Sequence, residues 1–207
     1  MHAEAATQAL VGMNPPDAED SDDARNLVLR VRSGDTRAFE HLMRRHERLV
    51  LGTALRLLGH QEDAQDAAQE VFLRLFKYAG SLDPDKPLLP WLYRVTVNVC
   101  RDATERRQAT ARFIAADEQI EDRGGAVDRS AEDALILGER KRVLRQALAE
   151  LPDRERLALV LRDIEGLDTH EVAVMLGTSD VTIRTQVCRG RLRLKRFVER
   201  MSKRMRT

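Results

Sequence analysis

Between Asp35 and Gly59, side chains suited to an interior recur at steps of three and four: Phe39, Leu42, Met43, His46, Val50, Thr53, Ala54 and Leu57. A helix turns once every 3.6 residues, so this spacing gathers them on one stripe, whereas a strand would divide them between two faces. Ala64, Ala68, Val71, Phe72, Leu75 and Phe76 repeat the pattern over a third helix near 61–79. Each helix is apolar along one side only, so several must close a common bundle. No stretch alternates apolar and polar residues as a half-buried strand does. The expected fold is all-α, with two small helical domains joined by a flexible linker, the second containing a helix-turn-helix.

Breaks in the pattern set the domains. Residues 1–20 hold Pro15-Pro16 and no periodic apolar positions, and read as a flexible acidic tail. The first domain spans 21–107. Ser21 is expected to cap a short helix through Val31 that Ser33-Gly34 ends. Asp35 starts a longer helix, and Gly59 stops it. Asp83-Pro84 and Lys86-Pro87 force a loop, and Pro90 suits the first turn of a fourth helix running to about Arg107. Trp91, Val95 and Val99, helped by Leu92, are expected on its buried side. Residues 108–130 lose periodicity, include Gly124-Gly125 and read as a linker. Ser130 with Asp133 resembles a capping box opening the second domain, 131–200, with helices near 131–149, 153–164, 169–176 and 180–200. A basic tail, 201–207, follows.

Charge is placed unevenly. The formal net charge is only +1, yet six carboxylates precede Arg25, while Glu199 is the sole carboxylate from Arg184 to the end. That basic end suits phosphates, though a solvated helix can look the same. Cys100 and Cys188 lie far apart with no histidine near either, so neither a zinc site nor a disulfide framework is indicated. Both thiols are read as packing residues. His2, His41, His46, His60 and His170 are scattered, and no glycine-rich phosphate loop or activated nucleophile is present. No catalytic residue, metal ligand or cofactor is therefore assigned, and the chain reads as non-enzymatic. With no apolar run of membrane-spanning length and no signal-peptide pattern, the expected location is cytoplasmic.

The segment from Leu167 to Arg184 has helix-turn-helix spacing. Thr169 or Asp168 caps a short helix with Val172, Ala173 and Leu176 inward. Gly177 permits a left-handed turn, and Ser179 caps the next helix, whose inner face holds Ile183 and Val187. That helix turns Arg184, Thr185, Cys188 and Arg189 outward. An arginine there can pair with two guanine acceptors, worth about 1–3 kcal/mol of discrimination. Arg191, Arg193, Lys195 and Arg196 are better placed for phosphates. Gly190 inside the helix costs about 1 kcal/mol relative to Ala. It admits a close approach of either a phosphate or a neighbouring element.

In the first domain, Asp66, Gln69 and Glu70 share one polar helix face opposite Val71 and Phe72. Such a face is either solvated or a dock for a basic partner. On the fourth helix Arg94, Asn98 and Arg101 recur on a polar side, and Trp91 suits either a core or a stacking platform.

In order and separation, these segments resemble the extracytoplasmic-function sigma factors of RNA polymerase. The residues are Asp66-x-x-Gln69-Glu70-x-Phe72, Trp91-Leu92-x-Arg94-x-x-x-Asn98, Leu151-Pro152, and Thr182-Ile183-Arg184 followed by Arg189-Gly190-Arg191. The resemblance covers roughly residues 24–107 and 131–198. It implies that Asp66, Gln69 and Glu70 bind the clamp helices of the polymerase's largest subunit. It implies that Trp91, Arg94, Asn98 and Arg101, with the preceding loop, engage a melted −10 element. Arg184, Thr185, Cys188, Arg189 and Arg191 would meet a duplex −35 element, the linker would thread near the active-site cleft, and an anti-sigma protein would be a further partner. Promoter preference does not carry over, because Val181 stands where the family often has Gly and Gln186 where it often has a basic residue. Two rivals stay open: a helix-turn-helix regulator with an N-terminal sensor or dimerisation domain, and a sigma-like decoy for an anti-sigma factor.

Overall fold

The computed structural model describes residues 20–114 and 142–204, which fall in two compact units. Among the described residues all regular structure is helical. The acidic tail before Asp20, the linker beyond Ile114 and the Ser130–Asp133 box lie outside the described residues, as do 205–207.

The first unit holds α1 (Asp20–Arg32), α2 (Thr36–Leu58), α3 (Gln61–Tyr78) and α4 (Leu88–Ile114). Local chemistry sets the breaks. Asp35 caps α2, its carboxylate accepting from the backbone N–H groups of Arg37 at 2.9 Å and Ala38 at 3.1 Å. An ion pair with Arg30 and these bonds hold the Asp35 carboxyl below its ordinary pKa. Gly59 ends α2 at φ 81°, a left-handed conformation that glycine enters without strain. Pro90 sits in the first turn of α4, where its missing N–H has no helical partner to lose. The core joins Leu42, Val50 and Ala54 of α2 with Val71 and Leu75 of α3 and Leu92 and Val97 of α4, all fully buried.

Four expectations change here. Helix α1 begins at Asp20, so Ser21 lies inside it. Helix α4 runs seven residues past Arg107, because Gln108 to Ile114 contains no Gly or Pro, and Thr110 donates its hydroxyl to the Arg106 carbonyl at 3.0 Å. Its buried side is Leu92, Tyr93, Thr96, Val97, Val99 and Cys100, while Trp91 and Val95 are only half-buried. The cause is that α4 packs against both α2 and α3, which covers a wider arc than one stripe. Finally, Phe76 is not interior: it is 57% exposed and meets half-buried Phe39 edge-on, with ring centroids 5.1 Å apart.

The second unit holds α5 (142–149), α6 (Asp153–Leu159), α7 (Thr169–Leu176) and α8 (Asp180–Arg204), the last reaching four residues beyond the expected end. Helix α6 widens into a π turn over Val160–Ile164, closed by Glu165 N–H donating to Val160 O at 2.9 Å. Asp168, rather than Thr169, caps α7 in a reciprocal capping box with Glu171. Gly177 takes φ 64° between α7 and α8.

Candidate nucleic-acid interface

The α7–α8 hairpin is built as its residues require. Ser179 Oγ accepts from Thr182 N–H at 3.2 Å and starts α8. Val172, Ala173, Ile183 and Val187 are buried between the helices, so α8 must turn the intervening positions outward. Arg184, Thr185, Cys188 and Arg189 are all exposed. Exposure corrects the reading of Cys188 as a packing thiol: it lies on the solvent side, five residues from buried Ile183. Cys100 does pack, and burial pushes its thiol pKa up to about 12.

The cations of α8 fall into two classes. Among the described residues Arg184 and Arg189 have no ion-pair partner. Arg191 instead donates twice to Asp163 on the π turn, Nε and Nη2 each at 2.7 Å. The paired carboxylate raises the Arg191 pKa above its ordinary value. Arg193 Nε approaches the buried Glu155 carboxylate at 2.9 Å, an ion pair without hydrogen-bond alignment. Both carboxylates are about nine-tenths buried, so these two arginines help hold α8 on α6. Gly190 is the contact between those helices: a Cβ there would lie 2.9 Å from Leu159 Cδ1 and 3.5 Å from the Glu155 carbonyl oxygen. Of the two sequence readings of Gly190, close approach to a neighbouring element is the one observed.

In the first unit Arg94, Asn98 and Arg101 lie in line on the exposed side of α4, beside half-buried Trp91. Asp66 and Gln69 are exposed on α3. Glu70 is engaged: Arg74 Nε donates to its Oε1 at 2.7 Å, and Arg74 Nη2 lies 3.5 Å from Asp102 of α4. These pairs raise the Arg74 pKa, the bond to Glu70 most. Sequence reasoning missed two members of this face. Leu73 is 64% exposed and Phe76 shares its side. Their steps of four and seven from Gln69 were the available signal. The structure thus brings Asp66, Gln69 and Glu70 together on α3, and Trp91, Arg94, Asn98 and Arg101 together on α4. It separates Arg191 from the free cations of α8.

Among the described residues no cluster of three or more metal-ligating side chains occurs, and no helix is long and apolar enough to cross a membrane.

Known proteins match parts of both units. Residues 42–110 match the family model for sigma-70 region 2, and 141–194 match that for sigma-70 region 4. The chain is 31% identical to the RNA polymerase sigma-H factor of Pseudomonas aeruginosa, over 81% of this chain and 89% of that protein. It is 34% identical to the extracytoplasmic-function sigma factor SigE of Mycolicibacterium smegmatis, covering 89% of this chain and 72% of the relative. For SigM of Mycobacterium tuberculosis the identity is 33%, over 85% and 84%. Among solved structures, CnrH in complex with the cytosolic domain of CnrY aligns with a TM-score of 0.60 at 27% identity, covering 86% of this chain and 97% of CnrH. The fold also matches the sigma factor RpoE of Bartonella quintana, solved with the anti-sigma factor NepR, with a TM-score of 0.64 at 19% identity, over 78% and 96%.

Proposed function

We propose how the parts divide the work in this chain, which belongs to the extracytoplasmic-function family of RNA polymerase sigma factors and directs promoter-specific initiation of transcription. The unit of α1–α4 serves as the domain that binds core polymerase and the −10 element. The unit of α5–α8 serves as the domain that binds the −35 element. Asp66, Gln69 and Glu70 present an acidic-amide face to the clamp of the polymerase. Trp91, Arg94, Asn98 and Arg101, with the 82–87 loop before α4, hold the opened −10 element. Arg184, Thr185, Cys188 and Arg189 enter the major groove at the −35 element, and Arg191 serves mainly to hold α8 in place.

The observation that carries this reading is the pairing of two unlike surfaces on separate units. One is a helix face of Arg, Asn and a half-buried Trp, and the other is a helix-turn-helix with free arginines. A duplex-binding regulator has use for the second alone. Unpairing costs a few kcal/mol per extruded base, offset when bases stack or bond in a protein site. Trp91 supplies a flat surface, Asn98 both a donor and an acceptor, and Arg94 and Arg101 charge for phosphates. The chain itself contributes binding free energy while polymerase performs nucleotide addition, which makes it a non-enzymatic subunit acting in the cytoplasm. An anti-sigma protein covering these faces is the expected inhibitor, in line with the bound partners of CnrH and RpoE.

Reconstitution tests the assignment. Adding the purified chain to core polymerase should yield transcription from a restricted set of promoters. Asp66→Arg should lower core association first. Asn98→Ala should impair open-complex formation more than core binding, and equal losses in both would remove Asn98 from the melting step.

A further inference from the structure

Val181 is 67% exposed at the first turn of α8, an unusual place for a large apolar side chain with nothing covering it. Arg184, Thr185 and Cys188 follow at steps of three, four and seven, so all four residues share one outward line. Their chemistry is lopsided. Thr185 Oγ1 donates to the Val181 carbonyl at 2.9 Å, which uses its hydroxyl proton and leaves a methyl group and acceptor lone pairs. Asp180, the one carboxylate of the first turn, lies 3.3 Å from His170 Nδ1 on α7. Arg184 is therefore the strong free donor of this line, set between apolar or weakly polar groups.

Resting on the reading of α8 as a groove-bound helix, we propose that Val181, with the Thr185 methyl and the Cys188 thiol, recognises thymine C5-methyl groups beside a guanine held by Arg184. A major groove presents a thymine methyl as its only apolar feature, and guanine O6 and N7 as a pair of acceptors suited to a guanidinium. Charge supports DNA as the occupant rather than an apolar protein. Arg184 and Arg189 are without ion-pair partners among the described residues, whereas Arg191 and Arg193 further along are neutralised by Asp163 and Glu155. Positive charge is thus left free where the apolar groups are, as a phosphate-lined groove requires.

The test uses the full chain with core polymerase. The preferred −35 sequence is selected from a random library, and each thymine in it is then replaced in turn by deoxyuridine, which removes only the methyl. Loss of one contacted methyl should weaken binding about fourfold, the equivalent of one buried carbon. In the Val181→Ala holoenzyme the effect should vanish at the thymine that Val181 contacts while effects at thymines facing Thr185 or Cys188 persist, and because Val181 is exposed this variant keeps the fold. Protection of the −35 element that is indifferent to every methyl, or methyl effects unchanged at every thymine in Val181→Ala, would overturn the proposal and leave the stripe to a protein partner. A selected element with no A·T pair opposite α8 would also overturn it. Failure of the holoenzyme to select or protect any −35 sequence would instead overturn the underlying reading of α8.

Discussion

The two units hold their functional helices by different means. Helix α4 is fixed mainly by apolar burial, Leu92 and Val97 being fully enclosed by α2 and α3, with an exposed Arg107–Asp63 pair to α3 beyond the proposed DNA face. Arg94 and Arg101 remain without ion-pair partners among the described residues. Helix α8 belongs to a smaller unit and is fixed by mixed means, through Ile183 and Val187, the close approach at Gly190, and ion pairs from Arg191 and Arg193. A count of basic residues therefore overstates what α8 offers DNA around Arg191 and Arg193, whereas on α4 the paired Arg107 lies outside the Arg94–Arg101 face. The smaller core pairs its cations with nearly buried carboxylates, whereas the ion pairs of the first unit use partly exposed ones.

The difference implies that each unit has its own point of failure. The largest effect is expected in acid and in the first unit alone. His46 is buried on α2, its Nε2 has no hydrogen-bond partner among the described residues, and burial with Arg45 nearby lowers its pKa to about 4. An unfolded chain binds that proton near pH 6.5 and the folded one does not. Stability is therefore complete above about pH 6.5 and falls as the pH drops toward 4, by up to about 3 kcal/mol. Trp91 is the only tryptophan and lies in this unit, so its fluorescence reports the loss directly. His46→Leu should abolish the acid-sensitive component. Matching loss of amide protection in α8 over the same pH range would show that the units do not fail separately.

Gly190→Val is the converse test. A branched side chain must displace Leu159, which is itself buried, and overpacking of this kind costs about 2 kcal/mol. Hydrogen exchange should accelerate in α6 and α8 while denaturation followed by Trp91 stays unchanged. A shift in the Trp91 transition would mean that the two cores share stability.

Turn chemistry explains why some of this was legible in the sequence. Asp35, Gly59, Asp168, Gly177 and Ser179 act on their own neighbours within four residues, and each does in the structure what its type demands. The inner positions Val172, Ala173, Ile183 and Val187 follow from period alone. What was not legible depends on partners distant in sequence. The steps within α3 assign Phe76 to the core, but only the position of Phe39 reveals the exposed aromatic pair. Trp91 and Val95 yield the core to Thr96 and Val97 because α4 has two neighbours. The basic run of α8 looks uniform until Asp163, 28 residues earlier than Arg191, is brought beside it.

That last contact gives a smaller prediction. Arg191→Ala should cost about 1 kcal/mol, because it leaves the nearly buried Asp163 carboxylate unpaired while removing a half-exposed cation. Its effect on −35 binding should be less than that of Arg184→Ala, which in turn should leave stability unchanged. Thermal denaturation of both variants beside binding to matched and altered −35 duplexes measures the two columns of effect. If Arg191→Ala lost DNA affinity without losing stability, α8 would not be fastened by its cations.

The smallest effect is expected where the first unit departs from its own rule. There Arg107 of α4 meets Asp63 of α3, and Arg74 links the two proposed functional faces, meeting Glu70 on α3 and Asp102 on α4. Both carboxylates are roughly half exposed, so the pairs contribute at most about 1 kcal/mol, and the apolar core holds α3 on α4 without them. Glu70, however, is a proposed polymerase contact, and a carboxylate already paired must exchange Arg74 for a cation of its partner. Arg74→Ala should leave the Trp91-detected stability nearly unchanged and raise affinity for core polymerase by about twofold, as the competition is removed. A loss of affinity comparable to that of Asp66→Arg would mean that polymerase meets the Glu70–Arg74 pair as a unit, and that a cation of the larger core is a fastener after all.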